Sequence, residues 1–365
     1  MDSRAKKTND KLVKLAKEAL ANINRGDNPM LEVPTRTLAN VHYDEKKKLI
    51  RLGTEKQERT FFNVSQSKKF MQTFLISAAI KEHLLESGKT TSIRDLFYMT
   101  KHSLGSTRQN TFEDQDESDP IIEDLEVTVD ALREELHLFA KNRGALVGEI
   151  TIVDSGDTID CRRMGSGGYS IPSIVEEEVI QFKKVDAKFI LLVEKDAVFR
   201  RLNEDKFWRK HKCILLHSEG QPARGIRRLV HRMHNELKLP LYVMVDNDPW
   251  GFYIYSVVKQ GSINLAYESM RMAVPKARFI GLSSFDREKF KLPDSTLIKI
   301  DDTDISRAKQ MLSYPWFEKK EWKKEIEYML KSGVKLEIEA LSAKGISFVT
   351  DTYLPQKLST GDWLE

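Results

Sequence analysis

Two stretches of sequence decide the fold: FILLVE at residues 189–194 and LYVMVDND at residues 241–248. In each, a short apolar run ends abruptly in carboxylates. Such runs, bounded by polar turns, are typical of strands buried on both faces of a sheet. A third run lies between them at 213–217, and Arg-rich amphipathic segments connect the three. The order strand, helix, strand, helix, strand predicts an α/β domain with a Rossmann-like parallel sheet and crossover helices.

Carboxylates follow two of these predicted strands. Glu194 ends the first run, and Asp246 and Asp248 follow the last. Chemistry in parallel sheets collects at the carboxyl ends of the strands, so we expect these side chains to lie together. Carboxylates brought together repel one another unless a cation lies between them, and hard oxygen ligands suit Mg²⁺. The sequence therefore predicts a magnesium site, although helix caps, surface carboxylates or the acidic pocket of a response-regulator-like sheet would use the same residues.

Composition sets broad limits on the protein class. The chain has 365 residues, which is enough for two domains and an arm. Its formal net charge of +4 neither favours nor excludes binding of nucleic acid. Its two cysteines predict a reducing compartment without a disulfide framework. No apolar run approaches the roughly 20 residues of a membrane span, so we expect a cytoplasmic protein.

The chain divides into three predicted parts. Residues 1–66 read as an N-terminal arm, too small to fold alone, that packs on the body or on a partner. Residues 67–163 predict a small helical domain, and residues 164–365 contain the predicted sheet and a C-terminal extension. A glycine-rich stretch, residues 165–168, predicts the hinge between the last two parts.

The middle part predicts a winged helix, which is a common way to place a helix in a DNA groove. Three helices and a hairpin are expected, at residues 67–86, 93–102, 129–142 and 148–163. An acidic stretch, residues 113–126, contains Pro120 and reads as a solvated loop.

A second group of candidate residues lies on the second of these helices. Arg94, Tyr98 and His102 are spaced four residues apart and would share one face, with Lys101 beside them. Cations near a tyrosine favour its phenolate form and attract a phosphate, which makes Tyr98 a candidate nucleophile. From these residues alone, an aromatic packing role for Tyr98 stays open.

An arginine cluster follows the third apolar run, with members at Arg224, Arg227 and Arg228. A charge run of this kind is commonly a solvated helix face. Because it lies in the same domain as the carboxylates, contact with a DNA phosphate backbone is the rival interpretation.

Four motifs together carry a resemblance to a known family. Glu194 followed later by Asp246 and Asp248 resembles the metal-binding signature of toprim domains. RDLFY at residues 94–98 resembles the catalytic tyrosine motif of DNA topoisomerase VI A subunits and of related meiotic DNA-breaking proteins. VDNDPWG at residues 245–251 and YLPQKL at residues 353–358 are similar in detail to archaeal A subunits. One departure is Phe97, since the family often has two adjacent tyrosines; the second is the family's nucleophile, so Tyr98 inherits that role.

The resemblance implies a type IIB topoisomerase subunit. In that family Tyr98 would form a 5′-phosphotyrosyl link, Arg94 would hold the scissile phosphate, and Mg²⁺ at Glu194, Asp246 and Asp248 would stabilise the leaving 3′-oxygen. Lys101, His102 and the arginine cluster would contact DNA.

The resemblance also implies partners. A homodimer is expected in which Tyr98 of one protomer faces the metal of the other. A separate B subunit would use ATP to drive strand passage, in an A2B2 heterotetramer associated with the nucleoid that relaxes supercoils and decatenates DNA. The sequence itself has no complete P-loop: GKT at residues 88–90 lacks the required upstream glycine, where His83 stands.

Two alternatives use the same residues. A toprim nuclease or primase would act without a covalent intermediate. A winged-helix DNA-binding protein that is not an enzyme would need no magnesium.

Overall fold

The computed structural model describes residues 3–365 of the chain. These residues form two compact units, and both are interrupted along the sequence. The first unit contains the chain up to Asn40 and Leu52–Lys141, and the second contains Val41–Arg51 and Asn142–Glu365. Between residues 3 and 365 there is no helix that is both long and apolar enough to cross a membrane.

The regular elements are numbered along the chain. The α-helices are α1 Ser3–Arg25, α2 Val64–Ala79, α3 Ile93–Thr100, α4 Gln115–Thr128, α5 Asp196–Glu204, α6 Phe207–Lys210, α7 Arg224–Leu237, α8 Pro249–Gln260, α9 Ser269–Met272, α10 Asp286–Phe290, α11 Asp302–Leu312, α12 Lys320–Ser332 and α13 Leu354–Thr360. The strands are β1 Met30–Pro34, β2 Val41–Asp44, β3 Leu49–Leu52, β4 Lys56–Thr60, β5 Thr91–Ser92, β6 Leu138–Phe139, β7 Ala145–Gly148, β8 Ile150–Asp154, β9 Asp157–Asp160, β10 Tyr169–Ser170, β11 Ile180–Val185, β12 Phe189–Val193, β13 Cys213–His217, β14 Leu241–Met244, β15 Arg278–Gly281, β16 Ile298–Lys299 and β17 Val334–Lys335.

The first unit is built around the apolar faces of α1 to α4. Its core includes Leu12 from α1, Ile76 from α2, Leu96 from α3 and Leu125 from α4, all buried. Burying a leucine of this kind contributes roughly 1.5–3 kcal/mol, so α1 is held firmly in this unit. The expected arm, residues 1–66, is accordingly divided: α1, β1 and β4 belong to the first unit, whereas β2 and most of β3 belong to the second.

The predicted acidic loop is a helix, so that prediction is wrong. Asp114 caps α4 by accepting the Glu117 N–H, and the acidic residues of the first turn lie where the helix dipole favours negative charge. Ile121, Ile122 and Leu125 lie on the buried face of α4. The acidic first turn and Pro120 obscured this apolar pattern in the sequence.

The predicted third helix, residues 129–142, is not helical. Asp130 and His137 have positive φ angles of 47° and 59°, a left-handed conformation that an α-helix does not continue through. The segment instead forms turns and the short strand β6, which pairs in parallel with β5.

The hairpin expected to be the wing forms, but in the other unit. β8 and β9 pair antiparallel with Asp154 opposite Asp157, as the turn sequence predicts. β8 also pairs with β11, and β7 pairs antiparallel with β13. The hydrogen bonds of residues 145–160 are therefore made within the second unit, so the hairpin is not part of the unit that contains α1 to α4.

The predicted parallel strands of the second unit are confirmed, and they lie in a six-stranded sheet in which β7 and β10 add antiparallel pairs. Its strand order is β10-β7-β13-β12-β14-β15, and β12 pairs in parallel with both β13 and β14. Every residue of β12, β13 and β14 is buried, as expected for strands covered on both faces. Since β12 and β14 are neighbours, the residues after their carboxyl ends lie side by side.

Candidate active site

Glu194 and Asp246 meet at the carboxyl edge of the parallel sheet. Val193 lies opposite Met244, and the Asp246 N–H donates to the Glu194 Oε2 atom at 3.2 Å. The loop then turns directly into α8. Gly251 is required at this turn, because a Cβ atom there would lie 2.3 Å from the Asp246 carbonyl oxygen.

Asp248 completes the acidic group at this edge. Its side chain caps α8, where Oδ1 accepts the Gly251 N–H at 2.6 Å. Glu194, Asp246 and Asp248, called the acidic triad below, are thus positioned by two neighbouring strand ends and one helix start.

Burial makes ionisation of the acidic triad costly. It raises the pKa of Glu194 from 4.5 to about 7, with the negative charge of Asp246 as the next cause. It raises the pKa of Asp246 from 3.8 to about 6, although Lys195 acts against the shift. The pKa of Asp248 is raised for the same main reason. A cation placed among these oxygens would offset this cost.

A lysine and a C-terminal segment also contact Asp246, and neither contact is predicted by the sequence. The Lys195 Nζ atom lies 2.9 Å from Asp246 Oδ2, 2.8 Å from Glu339 Oε2 and 3.5 Å from Glu337 Oε2. The Ile338 N–H donates to Asp246 Oδ1 at 2.8 Å. Ile338 and Glu339 begin a 3-10 helix, Ile338–Lys344, and nothing in the local sequence indicates a contact with Asp246.

The same segment fixes the loop between the two aspartates. Asn247 and Leu336 exchange backbone hydrogen bonds at 2.9 and 3.1 Å. The Asn247 side-chain amide donates to the Ser284 hydroxyl at 3.0 Å, within the buried interior. The loop that carries Asp246 and Asp248 is therefore held from both sides.

The acidic triad suits magnesium in its chemistry but does not converge on one point. Across the described residues, no three His, Cys, Asp or Glu side chains are grouped as ligands of one ion. One carboxylate oxygen of Asp246 accepts a backbone N–H, and the other forms an ion pair with Lys195. One oxygen of Asp248 accepts the hydrogen bond that caps a helix. Hard carboxylate oxygens that repel one another fit Mg²⁺, provided these side chains turn toward the ion.

Tyr98 is exposed on a capped helix of the first unit. The Ser92 Oγ atom accepts the Asp95 N–H at 3.0 Å, which confirms the predicted start of α3. Phe97 is buried in the core beneath, whereas the Tyr98 side chain is 59 % exposed. Arg94 is also exposed and lies one turn before Tyr98 on the same face.

Lys101 and His102 are placed differently from the prediction. α3 ends at Thr100, and Lys101 follows in an extended conformation, so His102 does not share the helical face of Tyr98. The Lys101 Nζ atom donates to the Glu113 carbonyl at 2.7 Å. His102 is exposed in the following loop, where its backbone N–H donates to the Thr111 hydroxyl.

The arginine cluster on α7 points inward. Arg224 pairs with Glu268 at 2.7 Å, and Arg228 makes a two-pronged ion pair with Glu176 at 2.7 and 2.8 Å. Arg227 is 4 % exposed, and its burial lowers its pKa to about 10. Arg224 and Arg228 thus link α7 to neighbouring segments through ion pairs, whereas Nε and Nη2 of Arg227 are buried without a hydrogen-bond partner among the described residues. Contact of these three arginines with DNA stays a prediction.

Three family descriptions match successive parts of the chain. Residues 68–138 match the family described as type IIB DNA topoisomerase, and residues 142–186 match the all-beta domain of the DNA topoisomerase VI alpha chain. Residues 189–358 match the Toprim domain of the topoisomerase 6 A subunits and Spo11. Tyr98 falls in the first matched part, and the acidic triad falls in the third.

Relatives that match over almost the whole chain agree with these descriptions. The chain is 47 % identical to the A subunit of type 2 DNA topoisomerase 6 from Hyperthermus butylicus, over 96 % of this chain and 94 % of that protein. It is 44 % identical to the same subunit of Pyrococcus abyssi, over 97 % and 94 %. It is 36 % identical to the DNA topoisomerase 6 A subunit of Arabidopsis thaliana, over 97 % and 79 %.

Proposed function

The chain belongs to the DNA topoisomerase VI A-subunit family, and from this premise we propose that Tyr98 and the acidic triad perform its DNA cleavage. The family makes this protein the DNA-cleaving subunit of a type IIB topoisomerase. The observation that carries the residue assignment is the contrast between Phe97 and Tyr98, one buried in the core and the other presented to solvent.

The proposed reaction is a transesterification at a backbone phosphate. The Tyr98 oxygen attacks the phosphorus and loses its proton to solvent, a P–O bond to Tyr98 forms, and the bond to the 3′-oxygen breaks. The protein is then joined to the 5′ end, and the 3′-oxygen carries the electron pair. One phosphate ester replaces another, so rejoining is the same step in reverse and needs no external energy source.

Arg94 is proposed to hold the scissile phosphate. Its guanidinium is exposed one helical turn from Tyr98, and a phosphate between the two would receive charge-assisted hydrogen bonds. Those bonds strengthen as negative charge develops during attack, which is how such a group accelerates the step. Lys101 and His102 border this surface and are proposed as further backbone contacts.

The acidic triad is proposed to hold Mg²⁺. Glu194, Asp246 and Asp248 would provide its oxygen ligands, and the ion when bound would supply positive charge for the 3′-oxygen. The partly buried position of Glu194 and the buried position of Asp246 support this assignment, because partial exclusion of water strengthens the attraction between carboxylate and cation.

The partners are proposed from family membership. We propose a dimer of A subunits in which Tyr98 of one copy works with the acidic triad of the other, so that two half-sites cut both strands. An ATP-hydrolysing B subunit would complete an A2B2 assembly.

The covalent step is tested by replacing the tyrosine hydroxyl. The protein is incubated with its B subunit, magnesium, a non-hydrolysable ATP analogue and end-labelled duplex DNA, then denatured. We expect wild type to be covalently attached to 5′ ends, and Tyr98→Phe to form no adduct while binding DNA with an affinity within about twofold, because the side chain is exposed. Tyr328→Phe removes a different, partly exposed hydroxyl that bonds Glu288, and should leave adduct formation unchanged. Adducts formed by Tyr98→Phe would remove Tyr98 from the mechanism.

The same assay separates topoisomerase cleavage from simple nuclease cleavage. A nuclease would produce magnesium-dependent breaks with free 5′ ends in wild type and in Tyr98→Phe alike. Family membership and the exposed Tyr98 favour the covalent route.

A further inference from the structure

Lys195 is the cation that pairs with Asp246 in this structure. Its ammonium lies within 3.5 Å of three carboxylates: Asp246, Glu337 and Glu339. The Asp246 side chain is 8 % exposed, whereas those of Glu337 and Glu339 are 54 % and 41 % exposed. The lysine thus links a buried carboxylate at the sheet edge to two carboxylates that face water.

A divalent cation bound at Asp246 would share that carboxylate with two existing partners, one on each oxygen. Oδ1 accepts the Ile338 N–H, which belongs to a segment fixed by the paired backbones of Leu336 and Asn247. Oδ2 is paired with the Lys195 ammonium, which is carried on a flexible chain of methylene groups. The ammonium is the partner that can move, and like charges favour its movement when a second cation arrives.

The structure also offers the displaced ammonium a place to go. Lys195 Nζ already lies 2.8 Å from Glu339 and 3.5 Å from Glu337. A small rotation would leave it bound to these two alone. Because both carboxylates are well exposed, they can accept the charge without further burial.

We propose that Lys195 is a displaceable counterion that competes with the divalent cation for Asp246, and that Glu337 and Glu339 retain its ammonium after displacement. This inference rests on the proposed metal role of the acidic triad. It assigns a function to the C-terminal segment around Leu336, which lies far in sequence from the acidic triad.

The test is a thermodynamic cycle of variants in which the affinity for a cation is measured directly. No DNA is present, and the test does not depend on DNA cleavage. Mn²⁺ serves as the probe, and electron paramagnetic resonance of the free ion gives its affinity for the full chain. The variants are Lys195→Gln, the pair Glu337→Gln with Glu339→Gln, and the three changes together. Lys184→Gln, in β11, is the control for loss of one positive charge.

Competition predicts a specific pattern of affinities. Lys195→Gln should bind Mn²⁺ about fivefold more tightly, and the glutamate pair should bind about fivefold more weakly because Lys195 stays on Asp246. With Lys195 already replaced, removing both glutamates should change the affinity by less than about twofold, since their effect acts through the lysine. Lys184→Gln should stay close to wild type.

Other results would overturn the proposal. Weaker Mn²⁺ binding by Lys195→Gln would mean that the lysine positions Asp246 for the ion instead of competing with it. Additive effects of the lysine and glutamate changes would show that the glutamates act directly on the ion. If wild type bound no Mn²⁺, the metal assignment of the acidic triad would fail as well, whereas binding with additive effects would overturn the counterion role alone.

Discussion

Replacing Glu194 by glutamine should stabilise the metal-free protein at high pH and change little at low pH. The folded protein raises the pKa of Glu194 to about 7, above its ordinary value of 4.5, chiefly because the group is partly removed from water. A carboxyl whose pKa is raised by folding contributes stability below pH 4.5 and loses it as pH rises through 7. Glutamine stays neutral and can still accept the Asp246 N–H, so the variant avoids this loss.

The size of the effect follows from the two pKa values. Each pH unit between them corresponds to about 1.4 kcal/mol, so a separation from 4.5 to about 7 gives roughly 3 kcal/mol above pH 7 as an upper bound. Partial contact with water reduces this to about 2 kcal/mol. For a unit of this size, that difference raises the unfolding midpoint by roughly 5 °C.

The chain provides a selective reporter for this measurement. All of its tryptophans, Trp208, Trp250, Trp316, Trp322 and Trp363, lie in the second unit with Glu194. Thermal unfolding is followed by tryptophan fluorescence in EDTA at several pH values between 4 and 8, in wild type and in Glu194→Gln. Adding Mg²⁺ at pH 8 should raise the midpoint of wild type more than that of the variant. A variant that is less stable than wild type at pH 8 in EDTA, or a difference that does not vary with pH, would refute the reasoning.

Two further predictions separate packing roles from surface roles. Arg228→Ala should lower stability by about 1–3 kcal/mol because Glu176 loses its two-pronged partner and keeps Arg271, yet leave the salt dependence of DNA binding unchanged; a slope reduced by about 1 would instead mark a phosphate contact. Leu125→Ala should destabilise the first unit by about 2–5 kcal/mol, measured by circular dichroism. Asp116→Ala, on the exposed first turn of the same helix, should change stability by less than about 1 kcal/mol.

The parallel strands could be predicted because each one is specified by a local sequence pattern. Residues 189–193 and 241–245 are continuous apolar runs, and parallel strands of one sheet are joined by a right-handed crossover in almost all cases. Once these strands are adjacent, the proximity of Glu194 and Asp246 follows from geometry. The start of α3 was predictable for the same reason, since Ser92 and Asp95 are three residues apart.

The contacts of the charged groups could not be predicted in the same way. Nothing in the pattern around Arg228 indicates that Glu176 is its partner, because the two are brought together only by the packing of α7. Lys195 is adjacent in sequence to Glu194, yet its partner Glu339 is supplied by a distant segment. Long-range pairing of this kind depends on the complete fold, so sequence patterns show which residues carry charge but not which charges meet.

The two groups of proposed catalytic residues have opposite requirements for contact with solvent. A nucleophile must reach a phosphorus atom, so Tyr98 is placed in solvent while Phe97 anchors its helix in the core. Carboxylates that hold a cation act more strongly where water is partly excluded. Glu194 is partly buried and Asp246 is buried, and their ionisation is therefore costly. Lys195 offsets part of that cost at Asp246, because it lowers the pKa of a carboxyl that burial raises. Lys195 can therefore keep the acidic site assembled while the ion is absent. The ion can bind afterwards because it is able to displace this counterion.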